Sequence, residues 1–510
     1  MNIIESFLSS ATAHPDSPAV ADPSVSLTYR QLAGWSMAMA RAVDEAAKGQ
    51  FVGIAIPACA AFPAAYFGVL MTGRVPVPLN FLLEPATLAA IVADAELDTI
   101  IAVGPLAGPL RKPVPAVLCA EDVKPDGRPL QPKTSARPDD LATLLYTSGT
   151  AGPPKGVMLT HRNLVVNVES SRETADYTPA DVSLGLLPLF HAFGLTTTML
   201  LPLLTGACAV YLPKFAPAAA LKLIVERGVT CIFAVPSMYR FIVQAATAAV
   251  AAMAGGTVPV ESRLRFCVSG GEALGHDTAE AFQKVFGRPL LEGYGMTETS
   301  PVVTLNPPDA MRPGTVGRPL SWATLRIVDE HGNARPPGVP GELWIRGDCM
   351  MAGYYNHPDD TRQAIRDGWL RTGDIAVLDA DGYLSITGRA KEMIISAGEN
   401  IAPGEIEAVL NSHPAVLESA VLPAPDPSRG EVPEAYIVLK PGLQASADDL
   451  IEHCCQRLTR IKVPRQVNFR PELPHTLTGK ILKRGIRGFD DGRHGRTEEE
   501  NREQGWLGVG

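Results

Sequence analysis

Five short stretches hold residue types that can act on a phosphorylated substrate. In the first, an apolar run reaches Thr147-Ser148-Gly149-Thr150-Ala151-Gly152-Pro153-Pro154-Lys155-Gly156. Glycines let backbone N–H groups approach a ligand, hydroxyls add donors and Lys155 adds a cation, a set suited to a polyphosphate. It is not a Walker loop, whose lysine sits between glycine and Ser/Thr; here Lys155 lies between Pro154 and Gly156. The second stretch is Leu291-Glu292-Gly293-Tyr294-Gly295-Met296-Thr297-Glu298-Thr299. Its glycines allow a sharp turn around Tyr294, whose ring can stack on a purine. Thr297 offers a hydroxyl, and Glu298 is a hard oxygen ligand suited to Mg²⁺ carrying phosphate. The third, Thr372-Gly373-Asp374, puts a carboxylate after a tight turn, where it can accept from both ribose hydroxyls. The fourth places Arg389 and Lys391 before Met393-Ile394-Ile395 and the polar run Ser396-Ala397-Gly398-Glu399-Asn400. The fifth presents Lys480 on a Thr-Gly turn, with Lys483 and Arg484 one helical turn on. Such a lysine can stabilise charge developing on a phosphate or carboxylate oxygen. Each stretch alone also reads as an ordinary loop with solvated charges; the chemistry rests on their combination.

The elements that must position these residues alternate between strand and helix, the mark of an α/β chain. Strands are predicted at 52–56, 75–79, 207–212, 230–235 and 264–269, with helices at 60–72, 216–227 and 277–286. The texture turns to β from Gly317, with strands at 323–328, 341–346 and 382–387. A boundary is expected at 390/391, dividing a domain of residues 1–390 from one of 391–487. The second is predicted to hold a helix opening at 405–411, strands at 420–422 and 435–439, and a helix over 448–460. Residues 488–510, polar and charged, read as a flexible tail.

The 510 residues carry 46% hydrophobic and 19% charged side chains, the balance of a globular protein with ample core. A net charge of −9 argues against nucleic-acid binding. Eight cysteines, none in a Cys-x-x-Cys pair, read as reduced buried thiols. The first residues read as a helix rather than a signal peptide, so a cytoplasmic protein is expected. Residues 183–212 lack any Asp, Glu, Lys or Arg, but Pro188, Gly194, Pro202 and Gly206 break the run into strand, loop, helix and strand rather than a membrane span.

In this order and at these separations the five stretches resemble the adenylate-forming superfamily, which spans acyl-CoA synthetases, carrier-loading adenylation domains and beetle luciferases. The resemblance runs from about residue 25 to 487 and is nearest to fatty-acid–CoA ligases. It implies a large N-terminal α/β domain of αβαβα sheets with a distorted β-barrel, and a small mobile α+β domain. ATP, Mg²⁺ and coenzyme A are the implied cofactors. It also implies that Thr147, Ser148, Gly149, Thr150 and Lys155 form the phosphate loop, and that Gly270, Gly271, Glu272 and Tyr294 line the adenine slot. Thr297 and Glu298 then meet phosphates and metal, Asp374 and Arg389 hold the ribose, Lys391 is the hinge, and Lys480 is the catalytic lysine. His191 falls at the mouth of the acyl pocket, while Ala397, Gly398 and Glu399 fall on the thiol's path. Two positions depart from the family pattern: Ala151 where a threonine is usual, and Ala397 where a glycine is frequent.

Phe193, Val235, Met238 and Met296 are expected to line the acyl pocket. Residues 188–194, 235–239 and 270–271 contain no Arg or Lys for a second carboxylate and no Asp for an amino group. An apolar monocarboxylic acid is therefore expected, of medium or long chain, with an aryl acid as the alternative. CoA is the expected acceptor, with an acyl carrier protein's phosphopantetheine as the alternative. A luciferase-like oxidation has no supporting feature. A non-catalytic homologue is disfavoured by the presence of Glu298, Asp374, Arg389 and Lys480 together. Oligomeric state stays open.

Overall fold

The structure is a computed structural model; it describes all residues except 112–113, 126, 128–131, 134, 148–153, 253–261, 398, 476–480 and 488–510. The chain forms two compact units, Met1–Ile386 and Thr387–Gly510. The division falls inside the strand Leu384–Arg389, a little ahead of the expected 390/391.

The first unit is built on a nine-stranded sheet whose centre is parallel. There Cys208–Tyr211, Val182–Gly185, Cys231–Ala234, Phe266–Ser269 and Leu290–Gly295 lie side by side. Side chains alternate across a strand, so one face carries Phe233, Val235, Phe266 and Val268, and the other carries Ile232, Ala234 and Cys267 under Tyr239 and Phe282. Near-continuous apolar strands covered on both faces are what a parallel sheet requires. The helix Pro236–Ala252 and the helix His276–Phe286 supply the second cover.

A smaller parallel sheet orders Val75–Pro78, Phe51–Ala55, Thr99–Ala102 and Ala116–Cys119. The helix Ala61–Met71 is buried all round, as its uniformly apolar sequence demands. It packs on Tyr29–Ala46 so closely that a Cβ at Gly68 would lie 2.7 Å from Met39 Cβ. Antiparallel sheets follow: Leu141–Thr147 with Lys155–Thr160 and Gly353–Tyr354, and then Ala323–Val328, Gly341–Gly347 and Trp369–Leu378 with their neighbours.

At the entry to the parallel strands sits a charge cluster. Asp181, whose side chain is 2% exposed, accepts from Arg265 at 2.8 Å, from Thr230 Oγ1 at 2.7 Å and from the Thr178 N–H at 2.8 Å. Burial alone would raise its pKa, but the bonds from Arg265, Thr230 and Thr178 outweigh burial and hold it below the usual range. The strands beginning at Val182, Cys231 and Phe266 are thereby pinned at one end. At the other end, Ala234, Ser269 and Glu292 share one register row; the loop that leaves Ser269 carries Gly270 and Gly271, and Gly293 continues the strand Leu290–Gly295.

Residues 183–212 fold as the expected turn-broken buried segment: a strand, a helical run containing the π-helical Leu195–Leu200, and the strand Cys208–Tyr211. Among the described residues no helix is long and apolar enough to cross a membrane. The N-terminal helix Ile3–Ala13 is also present, opened by an Asn2/Glu5 capping box.

The second unit pairs Glu399–Ile401, Ile394–Ser396, Gly430–Leu439 and Val416–Asp426 as an antiparallel sheet, with Gln466–Phe469 parallel to Gly430–Leu439. Pro403–Asn411 and Ala447–Cys455 cover it, burying Ile406, Leu410 and Leu450 against Val421 and Ile437.

Several boundaries differ from expectation by a residue or two, and the strands expected at 420–422 and 435–439 extend over Val416–Asp426 and Gly430–Leu439; two further differences have a local cause. The helix expected over 448–460 ends at Cys455, because the chain tightens into turns in which Arg457 N–H bonds Cys454 and Lys462 N–H bonds Thr459. The strand expected at 382–387 begins at Leu384, since Gly382, at φ +82°, closes a turn on Asp379. The tail at 488–510 lies outside the described residues.

Candidate active site

Thr147 and Lys155 are cross-strand partners at the tip of an antiparallel pair. Ser148, Gly149, Thr150 and the divergent Ala151, which the tip connects, lie outside the described residues. The returning strand runs directly into the helix His161–Thr174, capped by Thr160 and Asn163. Alongside it, Gly353 and Tyr354 pair with Met158 and Val157, and the Tyr355 N–H donates to the Gly156 carbonyl at 2.8 Å.

This pairing assembles four side chains distant in sequence. Lys155 Nζ stands 2.7 Å from Asp360 Oδ2 and 5.5 Å from the Tyr354 ring centroid. The hydrogen bond from Lys155, reinforced by its charge and that of His357, holds the Asp360 carboxyl below the usual range. The Tyr354 hydroxyl donates to Glu298 Oε1 at 2.8 Å. Glu298 lies in the tight turn Thr297–Thr299, and its carbonyl accepts from Met351 N–H at 2.8 Å. Lys155 and Glu298 were legible as site residues in the sequence; Tyr354 and Asp360 were not.

Next to this patch lies a cavity of about 190 Å³ lined by Asn80, Tyr146, Thr147, Phe190, His191 and Thr297 among others. Three separate sequence motifs thus meet on one small volume. The His191 ring packs edge-on against Phe190 with centroids 4.8 Å apart. Burial pushes its pKa down to about 4, so the imidazole is neutral at pH 7. Beyond it, the Phe193 ring closes on Gly270, where a Cβ would lie 3.2 Å from Phe193 Cζ. Gly271 has φ +86° and faces Val235. Val235 is buried, and Phe193, Met238 and Met296 pack against the same core cluster.

The strand Leu290–Gly295 carries Tyr294, whose hydroxyl donates to Asp374 Oδ2 at 2.5 Å. Asp374 is buried, and its own N–H donates to Thr372 Oγ1 at 3.0 Å across the Gly373 turn at φ +71°. The second and third stretches are therefore joined by a direct bond. A Cβ on Gly295 would lie 2.0 Å from the Pro301 carbonyl oxygen, so only glycine fits there. Glu272, half-buried, follows Gly271 on the neighbouring loop.

Glu292 belongs to the second stretch but has no role assigned there. It lies on the same strand as Tyr294, and burial raises its carboxyl to about 7, opposed by the Leu274 N–H. The sequence places it two residues before Tyr294 but gives no sign that it is half-buried.

In the second unit, Arg389 ends its strand and Lys391 is exposed in the turn Ala390–Glu392. Ala397 has φ +50°, and its N–H donates to the Arg429 carbonyl at 2.7 Å. That conformation costs a non-glycine residue about 1 kcal/mol, which accounts physically for glycine being frequent there. Glu399 is exposed at the start of Glu399–Ile401. Gly398 and Lys480 lie outside the described residues.

Comparison with known proteins covers both units. Residues 7–355 match the AMP-binding enzyme family and residues 405–480 match the AMP-binding enzyme C-terminal domain. A sulfoacetate–CoA ligase of Cupriavidus necator is 36% identical, over 93% of this chain and 95% of that one. A long-chain-fatty-acid–CoA ligase of Yersinia pestis is 34% identical, over 95% and 94%. Among solved structures, the anthranilate CoA ligase AuaEII in complex with anthranoyl-AMP superposes with a TM-score of 0.87 at 28% identity, covering 96% of this chain and 97% of its own. With a fold, a set of motifs and two family matches in agreement along nearly its whole length, the chain belongs to the AMP-binding enzymes, the adenylate-forming superfamily.

Proposed function

We propose that this acid–thiol ligase uses ATP to activate an apolar monocarboxylic acid as its acyl-adenylate and passes the acyl group to the thiol of CoA, releasing AMP and pyrophosphate. The observation that carries this reading is the cavity on which Thr147, His191 and Thr297 converge, beside the Lys155–Glu298 patch. Thr147 and Lys155, with Ser148, Gly149 and Thr150, hold the β- and γ-phosphates. The Gly270-Gly271-Glu272 loop and Tyr294 hold adenine, and Asp374 and Arg389 hold the ribose.

Among the described residues no three His, Cys, Asp or Glu side chains cluster as a metal cage. Glu298 would therefore hold Mg²⁺ as a lone carboxylate, with phosphate oxygens and water completing its shell, the usual manner for this ion. The metal would supply charge neutralisation for the departing pyrophosphate. Neutral His191 supports the carboxylate of the acid without adding charge, and Lys480 stabilises the charge that develops during attack on the α-phosphate. Rotation about Lys391 then withdraws Lys480 and brings Ala397, Gly398 and Glu399 to the thiol's path.

The relatives act, by their names, on sulfoacetate, long-chain fatty acids and anthranilate. For this chain the apolar character of Phe193, Val235, Met238 and Met296 favours an acid without a second anion, which would be left buried and unpaired there. A medium- or long-chain fatty acid is our preferred substrate.

The test is acid-dependent formation of AMP and thioester across aliphatic, aryl and sulfonated acids, offered CoA or holo carrier protein. No AMP with any acid rejects the reading, and AMP without acyl-CoA moves it to carrier loading. Within it, Lys480→Ala is expected to slow adenylate formation by about 10²–10³-fold while sparing thioester formation from supplied acyl-AMP. Equal loss of both steps removes Lys480 from the first.

A further inference from the structure

We propose that Asp360 is a positioning residue that competes with the nucleotide's phosphates for Lys155 and so sets how tightly ATP and pyrophosphate are held. The inference rests on the reading of Lys155 as a phosphate-binding cation. Lys155 Nζ is not aimed at solvent: it is paired with Asp360 Oδ2 at 2.7 Å, with only 29% and 31% of the two side chains exposed. The Tyr354 ring covers its other side at 5.5 Å. His357 Nδ1 lies 3.4 Å from the same Asp360 oxygen.

The backbone fixes this geometry. Tyr354 is laddered to Val157, two residues past Lys155, and the Tyr354 N–H donates to Thr361 Oγ1, next to Asp360, at 2.8 Å. Asp360 rides on the short helix Pro358–Ala364, which begins only three residues beyond Tyr355. Lysine and carboxylate therefore meet through paired strands rather than by a chance encounter of mobile side chains.

A phosphate that takes Lys155 must either break this pair or bind beside a carboxylate. Both outcomes oppose phosphate, and both vanish when the carboxylate is removed. The same opposition acts on the leaving pyrophosphate, so Asp360 weakens product retention together with substrate affinity. Tyr354 links the pair to Glu298 through its hydroxyl, so the competition is felt on the turn that carries Thr297 as well.

The experiment uses the full-length enzyme with its best acid from the panel above. Asp360→Asn is expected to lower the KM for ATP and the inhibition constant for pyrophosphate, each by about two- to fivefold, the range of a half-exposed ion pair. The KM for the acid serves as the reference. In a Lys155→Ala background the same substitution is expected to change neither constant. A higher KM for ATP in Asp360→Asn, no change in either constant, or an equal effect with and without Lys155 overturns the proposal. Asp360→Glu, which keeps the charge, guards against a folding defect: it should stay close to the parent, and a shift matching that of Asn overturns it as well. If Lys155→Ala alone leaves ATP and pyrophosphate binding intact, the phosphate-loop reading fails, an outcome separable from failure of the Asp360 role.

Discussion

Two half-buried titratable side chains, His191 and Glu292, lie in or beside the site with pKa values moved in opposite directions, and only one of them changes charge near neutrality. His191, pushed down to about 4, is neutral throughout the working range and adds no limb to a pH profile above pH 5. Glu292, raised to about 7 chiefly by burial, ionises as the pH passes from 6 to 8. Its new negative charge stands on the strand that carries Tyr294 and, with the nucleotide held as proposed above, would oppose that anion. The KM for ATP is therefore expected to rise about twofold between pH 6 and 8, and Glu292→Gln to abolish that rise. Initial rates at varied ATP across this range check it; a variant that keeps the wild-type slope excludes Glu292 as the source. At this scale the sequence disclosed the groups with distinctive local company, such as Thr147, Lys155, Tyr294 and Asp374. It hid Glu292, whose role comes from burial, and Asp360, which meets Lys155 only through strand pairing across distant parts of the chain.

At the scale of elements, the parallel sheet divides its labour between its two ends. Asp181, Arg265 and Thr230 lock the starts of three strands, while a glycine-bearing loop leaves the opposite end. Asp181 is buried but its partner Arg265 is 40% exposed, so water screens the guanidinium once the carboxylate is gone, and the loss is mainly that of charge-assisted hydrogen bonds, about 1–3 kcal/mol. Asp181→Ala is expected to lose stability on that scale in urea titration, while the KM values for ATP and acid of the remaining folded protein stay put. A loss below 1 kcal/mol would mean that water replaces the carboxylate there. The alternation of strands and helices was legible because apolar periodicity is a local property, and 323–328 was placed to the residue. The helix ending at Cys455 was overestimated because Leu458 and Ile461 continue an apolar rhythm, whereas the chain turns beneath them to reach Pro464.

The whole molecule should respond to acid through a residue outside the site. His161, buried where the first helix meets the helix His161–Thr174, accepts the Ile3 N–H on Nδ1 at 3.4 Å. Burial lowers its pKa from 6.5 to about 4. The unfolded chain then binds more protons between those values, so the stabilisation is complete above pH 6.5 and is lost as the pH falls toward 4. At pH 4.5 the loss is about 2 kcal/mol relative to pH 7. His161→Gln, which cannot titrate, should show a correspondingly smaller drop in its urea midpoint over the same interval; an identical drop assigns the acid sensitivity elsewhere.

The position of the break between the two units carries a last consequence. It falls inside Leu384–Arg389, so Arg389 stands only two residues from Lys391, within about 7 Å of it along an extended chain. A point turning about a pivot travels in proportion to its lever arm. On the roles proposed above, with Lys391 as the pivot and Arg389 on the ribose, Arg389 would have almost none and would keep its hold through the turn. Lys480 lies far along the chain and is free to have a long one. On those proposed roles, a single rotation would exchange the reacting groups while the nucleotide stays in register between the two chemical steps.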